Sequence, residues 1–299
     1  MIRVKIPATS ANLGPGFDCL GLALQLYNTI TVEPDRPFQI SLTGSYRDGI
    51  PANESNLVWQ TMCHLWELIH YPTPSVALTL ENYIPPSRGL GSSSAAIVGG
   101  LVAANNLAGS PYTKYELLQV ANALEGHPDN VTPALYGGVT LSVPTDSGIS
   151  PRILAKAPNF KVVVVIPDTR LDTEKAREIL PPHITRNDAV FNISHVGLLI
   201  EAFIREDYSL LKEGMRDVLH QNQRAILLPG MLETIESALK AGAHGAALSG
   251  SGPTLIALIR ESSKQEVSQS MITTMGKYGI NVQAIVLEID SCGATLSVT

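Results

Sequence analysis

Apolar residues in this chain follow two periods. Short runs rich in β-branched residues, at 2–6, 28–32, 38–42 and 76–80, are cut off by Pro, Gly or Asp and predict strands. Longer stretches carry helical spacing. Residues 56–70 place Leu57, Leu65 and Leu68 along a helix, and the Ala-rich stretch 93–107 predicts a second. Thr113, with Glu116 following at capping-box spacing, starts a third helix that runs to about Glu125. Residues 137–143 return as a strand.

Between Pro144 and Asn159 the breakers Pro144, Gly148, Pro151, Pro158 and the pair Asp146-Ser147 predict a loop-rich stretch. The division of the chain is placed there, into units 1–155 and 156–299. Residues 161–166 then read as a strand apolar on both faces. Asp188 is expected to cap a helix whose Val190, Ile193, Val196, Leu199, Ile200, Phe203 and Ile204 form one stripe. Helices at 209–220, 231–241 and 263–277, with strands at 254–259 and 282–289, complete the second half. The fold class is therefore α+β, with helices on one face of a mixed sheet in that half.

Composition narrows the function. The 299 residues are 44% hydrophobic and 16% charged, which suits an ordinary folded protein, and the 24 Gly and 20 Pro form no low-complexity tract. The net charge of −6 comes without a Lys/Arg stripe, which argues against a nucleic-acid partner. The longest clean apolar run, 162–166, is strand-sized, so no membrane segment is expected. Cys19, Cys63 and Cys292 are widely spaced and make no Cys-x-x-Cys, which fits free thiols in a reducing, cytoplasmic setting. The histidines form no close pair, and no structural zinc site is expected.

The most informative segment is 85–96, Pro-Pro-Ser-Arg-Gly-Leu-Gly-Ser-Ser-Ser-Ala-Ala. It follows a predicted strand and opens a predicted helix. Gly89 and Gly91 let the backbone come close to a ligand. The serines after them sit on the first helical turn, where free N–H groups and the positive dipole end attract an anion. The loop lacks the Gly-x-x-x-x-Gly-Lys-Ser/Thr pattern and the third glycine of a dinucleotide fingerprint. By itself it is also compatible with a plain Gly/Ser-rich helix start.

Two further segments change that balance: 7–21, Pro-Ala-Thr-Ser-Ala-Asn-Leu-Gly-Pro-Gly-Phe-Asp-Cys-Leu-Gly, and 248–254, Leu-Ser-Gly-Ser-Gly-Pro-Thr. In order and rough spacing, the three segments resemble the motifs of the GHMP kinases over essentially the whole chain. The resemblance implies a two-lobed fold. Its N-terminal lobe would be ribosomal protein S5 domain 2-like and its C-terminal lobe ferredoxin-like, with the site in the cleft between them. It also implies ATP and Mg²⁺. The finer match, through Glu125-Gly-His-Pro-Asp-Asn-Val131, Thr173-Glu-Lys-Ala-Arg177 and Arg224, is to the branch that phosphorylates the side-chain hydroxyl of L-homoserine on the way to threonine.

Carried over residue by residue, the resemblance places ATP on Pro86, Ser87, Arg88, Gly89, Leu90, Gly91, Ser92, Ser93, Ser94, Ala95 and Ala96, with Asn56 at the adenine end. Glu125 and Ser93 become the metal ligands, although three successive serines leave the register open. Asn12, Asp18, His127, Asp129, Thr173, Arg177 and Arg224 become the amino-acid pocket. Asn and Asp in Gly- or Pro-rich turns are also ordinary turn chemistry. Two arginines suit a carboxylate clamp because each offers paired N–H donors. Asn130 stands where mevalonate kinase relatives carry an aspartate, and an amide takes up no proton at neutral pH. The implied chemistry is direct attack by the substrate hydroxyl, with Asp129, Asn130 and Glu125 as the catalytic set; whether Asp129 is a base or a positioning group stays open. A homodimer is a further expectation of the resemblance. A mevalonate- or sugar-type kinase, or a ligand-sensing protein that lost catalysis, are the rival readings.

Overall fold

Val4 and Ile6 are buried while Arg3 and Lys5 face water, the alternation that makes Ile2–Ala11 the first strand, β1. The structure is a computed structural model that describes residues 1–298. The other strands are β2 (Leu20–Pro34), β3 (Gln39–Thr43), β4 (Val76–Glu81), β5 (Val139–Thr145), β6 (Gly148–Ala155), β7 (Lys161–Pro167), β8 (Gly245–Leu248), β9 (Leu255–Ile259), β10 (Val282–Leu287) and β11 (Thr295–Val298). The helices are α1 (Leu57–Leu68), α2 (Ser92–Leu107), α3 (Lys114–Glu125), α4 (Pro128–Tyr136), α5 (Thr173–Glu178), α6 (Arg186–Arg205), α7 (Leu211–Gly214), α8 (Gln221–Arg224), α9 (Met231–Lys240) and α10 (Lys264–Lys277).

The strands form two sheets. The first has the path β11-β1-β2-β4-β3, and the hairpin β5-β6 joins it through β2. Only β3 and β4 run parallel in it. The second has the order β10-β7-β9-β8 and is antiparallel throughout. With α9 leading into β8 and α10 leading into β10, the second unit has the ferredoxin-like β-α-β-β-α-β arrangement. The expected two-lobed α+β fold is present. The chain enters the second sheet at β7, and its last strand, β11, returns to pair antiparallel with β1, so the unit expected over 156–299 contributes a strand to the first sheet.

The core follows from the faces of β7. Val162, Val164 and Ile166 pack into the large core with the first sheet, whereas Val163 and Val165 face the opposite way, into the core under α9 and α10. The strand is thus buried on both faces, as its unbroken apolar run predicts.

Five expectations need correction. The sheet of the second half is antiparallel throughout and not mixed, because each helical crossover skips one strand and so never sets parallel strands side by side. The stretch 144–159 holds strand β6, an edge strand paired only to β5; an edge tolerates Pro151, which has no N–H to give. Helix α6 is capped by Thr185, and Asp188 lies in its first turn. Its stripe is too wide to dock as one face: at about 100° per residue Val190 lies about 180° from Leu199. Leu199 and Phe203 are buried, while Val190, Ile193 and Ile204 are 60%, 72% and 62% exposed. Finally, 209–220 is broken into turns and α7, because Asp217 accepts the backbone N–H groups of Leu219, His220 and Gln221 and turns the chain into α8.

Candidate active site

The phosphate-cradle segment adopts the conformation its glycines allow. Gly89 and Gly91 have φ of 73° and 68°. A Cβ at Gly89 would meet the Ser249 carbonyl at 2.2 Å, and one at Gly91 the Thr9 hydroxyl at 1.9 Å, so neither position admits a side chain. Helix α2 begins directly after Gly91, and no side chain caps it. Its first N–H groups therefore remain available to an anion. Ser87 to Ser93 line a cleft of about 380 Å³. Pro86, Ser94, Ala95 and Ala96 do not line it, and Ala95 is fully buried. Asn56 is likewise turned inward: its side chain donates to the Pro51 carbonyl and accepts from Val58 N as the cap of α1, and the neighbouring Leu57 lines the cleft instead. Arg88 reaches out of the loop to donate through Nε to the Pro167 carbonyl (2.7 Å) and through Nη2 to that of Asp168 (2.5 Å).

Glu125 ends α3, where the helix dipole disfavours a carboxylate, but the fold sets it against the start of α2. The Ser93 hydroxyl donates to Glu125 Oε2 at 3.0 Å and that of Ser94 to Oε1 at 2.7 Å. Of the three serines, Ser93 is exposed to the cleft and Ser94 is buried.

Helix α4 starts with His127 as its cap and Pro128 in its first turn, which presents Asp129 and Asn130 to the cleft. His127 Nδ1 lies 2.7 Å from Asp129 Oδ1. Burial opposes charge on His127, but the hydrogen bond and charge of Asp129, with Glu125 nearby, outweigh it and raise its pKa. Asn130 Oδ1 accepts from the Thr9 hydroxyl at 2.8 Å.

Between β1 and β2 the chain makes a strained loop. Asn12, Leu13 and Asp18 all have left-handed backbone, with φ of 70°, 52° and 57°. Asn12 stabilises it by accepting from Asp18 N and donating to the Gly250 carbonyl, each at 3.0 Å. Asp18 receives Arg177 in two parallel bonds of 3.0 and 2.6 Å. Thr173, at the start of the same short helix α5, meets Ser251 Oγ at 3.1 Å.

Arg224 is the second cation of this pocket and is only 2% exposed. Its Nε donates to the Ala176 carbonyl, and its Nη1 to the Gly250 carbonyl, both at 3.0 Å. Among the described residues Nη2 has no hydrogen-bond partner, although Arg224 lines the cleft. Burial, then the nearby charge of Arg177, pushes its pKa down to about 10. The ring of Phe17 lies 5.6 Å from the Arg177 guanidinium and 5.4 Å from that of Arg224.

The segment after β8 closes the arrangement. Ser249 Oγ donates to the Gly89 carbonyl at 2.5 Å, and Gly250 N to that of Ala11 at 3.1 Å. The C-terminal glycine turn thus braces the glycine loop. Sequence reasoning missed Ile97, Leu124, Gly250 and Ser251 as lining residues. Among the described residues no group of three or more His, Cys, Asp or Glu gathers as a metal site, and no helix is long and apolar enough to cross a membrane.

The two-lobed fold and the family matches together place the chain among the GHMP kinases. The model of the GHMP kinases N terminal domain matches residues 56–138, and that of the GHMP kinases C terminal domain matches 199–277. Within that class the chain belongs to the homoserine kinase family. It is 56% identical over 296 residues to the homoserine kinase of Desulfitobacterium hafniense, covering 99% of this chain and 100% of that protein. It is 45% identical over 295 residues to that of Carboxydothermus hydrogenoformans, covering 98% and 96%. The crystal structure of homoserine kinase from Cytophaga hutchinsonii superposes with a TM-score of 0.88 at 30% identity, covering 99% of this chain and 97% of that one. L. major mevalonate kinase in complex with R-mevalonate shares the fold, with a TM-score of 0.72 at 16% identity over 96% of each chain.

Proposed function

We propose that this protein transfers the γ-phosphoryl group of ATP to the side-chain hydroxyl of L-homoserine, giving O-phospho-L-homoserine for threonine biosynthesis. The observation that carries this reading is the pocket opposite the phosphate loop. Asp18, Arg177 and the unpartnered Nη2 of Arg224 offer one anion and two cations, which complement an α-ammonium and an α-carboxylate. A sugar or an isoprenoid alcohol has no such pair of charges.

In this reading the amides of 89–93 hold the triphosphate, and the turn capped by Asn56 presents Leu57 to the base. Glu125 and Ser93 are hard oxygen donors side by side at the phosphate end, a set that fits Mg²⁺. Magnesium bound there supplies charge neutralisation for the transferring phosphoryl group. Asp18 and Asn12 orient the substrate amino end, and Arg177 and Arg224 grip its carboxylate. His127 and Thr173 close the sides, and Asp129 with Asn130 aims the hydroxyl. Asn130 takes up no proton at neutral pH, so the hydroxyl attacks the γ-phosphorus directly; the bond to the bridging oxygen breaks, ADP leaves, the hydroxyl proton passes to the transferred phosphoryl group, and positioning with charge neutralisation supplies the catalysis.

The test is an ADP-release assay over homoserine, mevalonate, galactose and shikimate. Turnover of homoserine with none of the others is the expected result, and turnover of mevalonate without homoserine removes the reading.

A further inference from the structure

His220 lies behind the pocket, fully buried, and takes no part in the function described so far. Its two ring nitrogens have fixed roles. Nε2 lies 2.8 Å from the Gly14 carbonyl, which can only accept, so Nε2 carries the proton. Nδ1 lies 3.2 Å from Nη1 of Arg224, which can only donate, so Nδ1 is the acceptor. The ring is therefore neutral, in the Nε2–H tautomer. The carboxylate of Asp217 stands 3.6 Å from Nε2, too far for a hydrogen bond, and is occupied by the backbone N–H groups of His220 and Gln221. One side of His220 thus holds Arg224, and the other holds the strained loop that carries Asn12 and Asp18. The Phe17 ring of that loop packs at 5.3 Å from it.

Arg224 has three anchored directions: Nε to Ala176, and the two hydrogens of Nη1 to Gly250 and His220. Together they leave Nη2 as the end free to meet a ligand. We propose that His220 is a positioning residue for carboxylate recognition: its neutral Nδ1 fixes the rotation of the Arg224 guanidinium that aims Nη2 into the cleft. This rests on the homoserine reading above.

The isosteres separate the two contacts. His220→Gln keeps a donor that reaches Gly14 and loses the acceptor for Arg224; His220→Asn keeps an acceptor near Nδ1 and loses the Gly14 contact. The experiment compares homoserine with 2-amino-1,4-butanediol, which lacks the carboxylate, as substrate or inhibitor. In H220Q the homoserine KM should rise about tenfold, the loss of one hydrogen bond to a charged group. The KM of ATP and the inhibition constant of the diol should stay within about twofold. H220N should discriminate between homoserine and the diol as the parent does. Equal weakening of homoserine and diol in H220Q overturns the proposal, because a structural defect would not distinguish them. If H220Q does not fold, loss of the discrimination in a folded H220N overturns it equally. A parent protein that does not turn over homoserine removes the functional reading and this inference with it; normal parent turnover beside an unchanged KM in H220Q removes the inference alone.

Discussion

Asp18 and Arg177, far apart in sequence, meet in the cleft as a two-pronged ion pair of 3.0 and 2.6 Å. The hydrogen bond that Arg177 donates to Asp18 raises the Arg177 pKa, burial acts against it, and the Asp18 charge adds to the rise. A zwitterionic substrate offers each member a replacement, ammonium for Asp18 and carboxylate for Arg177. Asp18→Asn should therefore raise the homoserine KM by about 10²-fold and leave that of ATP within about threefold. The same variant frees Arg177, so 4-hydroxybutyrate, which has no ammonium, should inhibit it better than the parent. Steady-state kinetics with both ligands check this, and weaker inhibition by 4-hydroxybutyrate would count against the exchange of partners.

Glu125 joins the end of α3 to the serines at the start of α2. Glu125→Ala should lower kcat by about 10²-fold, the scale of losing one preorganised electrostatic element. Raising the Mg²⁺ concentration should recover part of that loss. A deficit indifferent to Mg²⁺ would assign Glu125 to holding α2 instead.

Arg224→Leu replaces a buried cation that lines the cleft. The homoserine KM should rise by about 10²-fold, far more than that of ATP. An unchanged homoserine KM would take this arginine out of the pocket.

Gly91→Ala forces a Cβ to within 1.9 Å of the Thr9 hydroxyl at a backbone φ of 68°. The loss of stability should be about 1–3 kcal/mol, read as a lowered denaturation midpoint. ATP affinity should fall with it, because Gly91 belongs to the loop whose amides are proposed to hold the triphosphate. Isothermal titration with an ATP analogue gives the second number.

Cys19 follows Asp18 directly, and burial, then the charges of Asp129 and Asp18, push its thiol up to about 11. A raised thiol pKa means less thiolate at a given pH, about one molecule in a thousand at pH 8. Cys292 is exposed. A chromogenic disulfide reagent at pH 8 should therefore label Cys292 first and Cys19 last, and Cys19 labelling should accelerate as pH rises towards 11. Peptide mapping of the labelled protein gives the order.

What could be read from the residues was local. The Thr113–Glu116 capping box forms as its spacing says, with Thr113 N and its hydroxyl both donating to Glu116. The glycine loop is legible from its Gly spacing ahead of a helix start; Asp18, Glu125 and Arg177 stand out only through the family resemblance, since turn chemistry or an ordinary charge accounts for each by itself. What escaped depends on partners distant in the chain. Strand β6 looked like loop, since Pro151 is disfavoured in a strand until one knows it lies at an edge. The helical stripe of α6 was read too wide because the docking arc is set by the neighbouring elements, among them α7. Asn56 has a motif neighbour in the cleft but gives its own amide to a helix cap. His220 had no signal at all; its importance arises from Gly14 and Arg224, which only the folded chain brings to its two nitrogens.

The seam between the phosphate loop and the second sheet has a kinetic corollary. Arg88 ties the loop to the end of β7, and Ser249 clasps Gly89 from the other side. Nucleotide and acceptor alcohol thus arrive at surfaces welded to one chassis, with neither shaping the berth of the other. Initial-velocity patterns should accordingly show either ligand able to enter first, with each dissociation constant nearly indifferent to whether its companion is aboard.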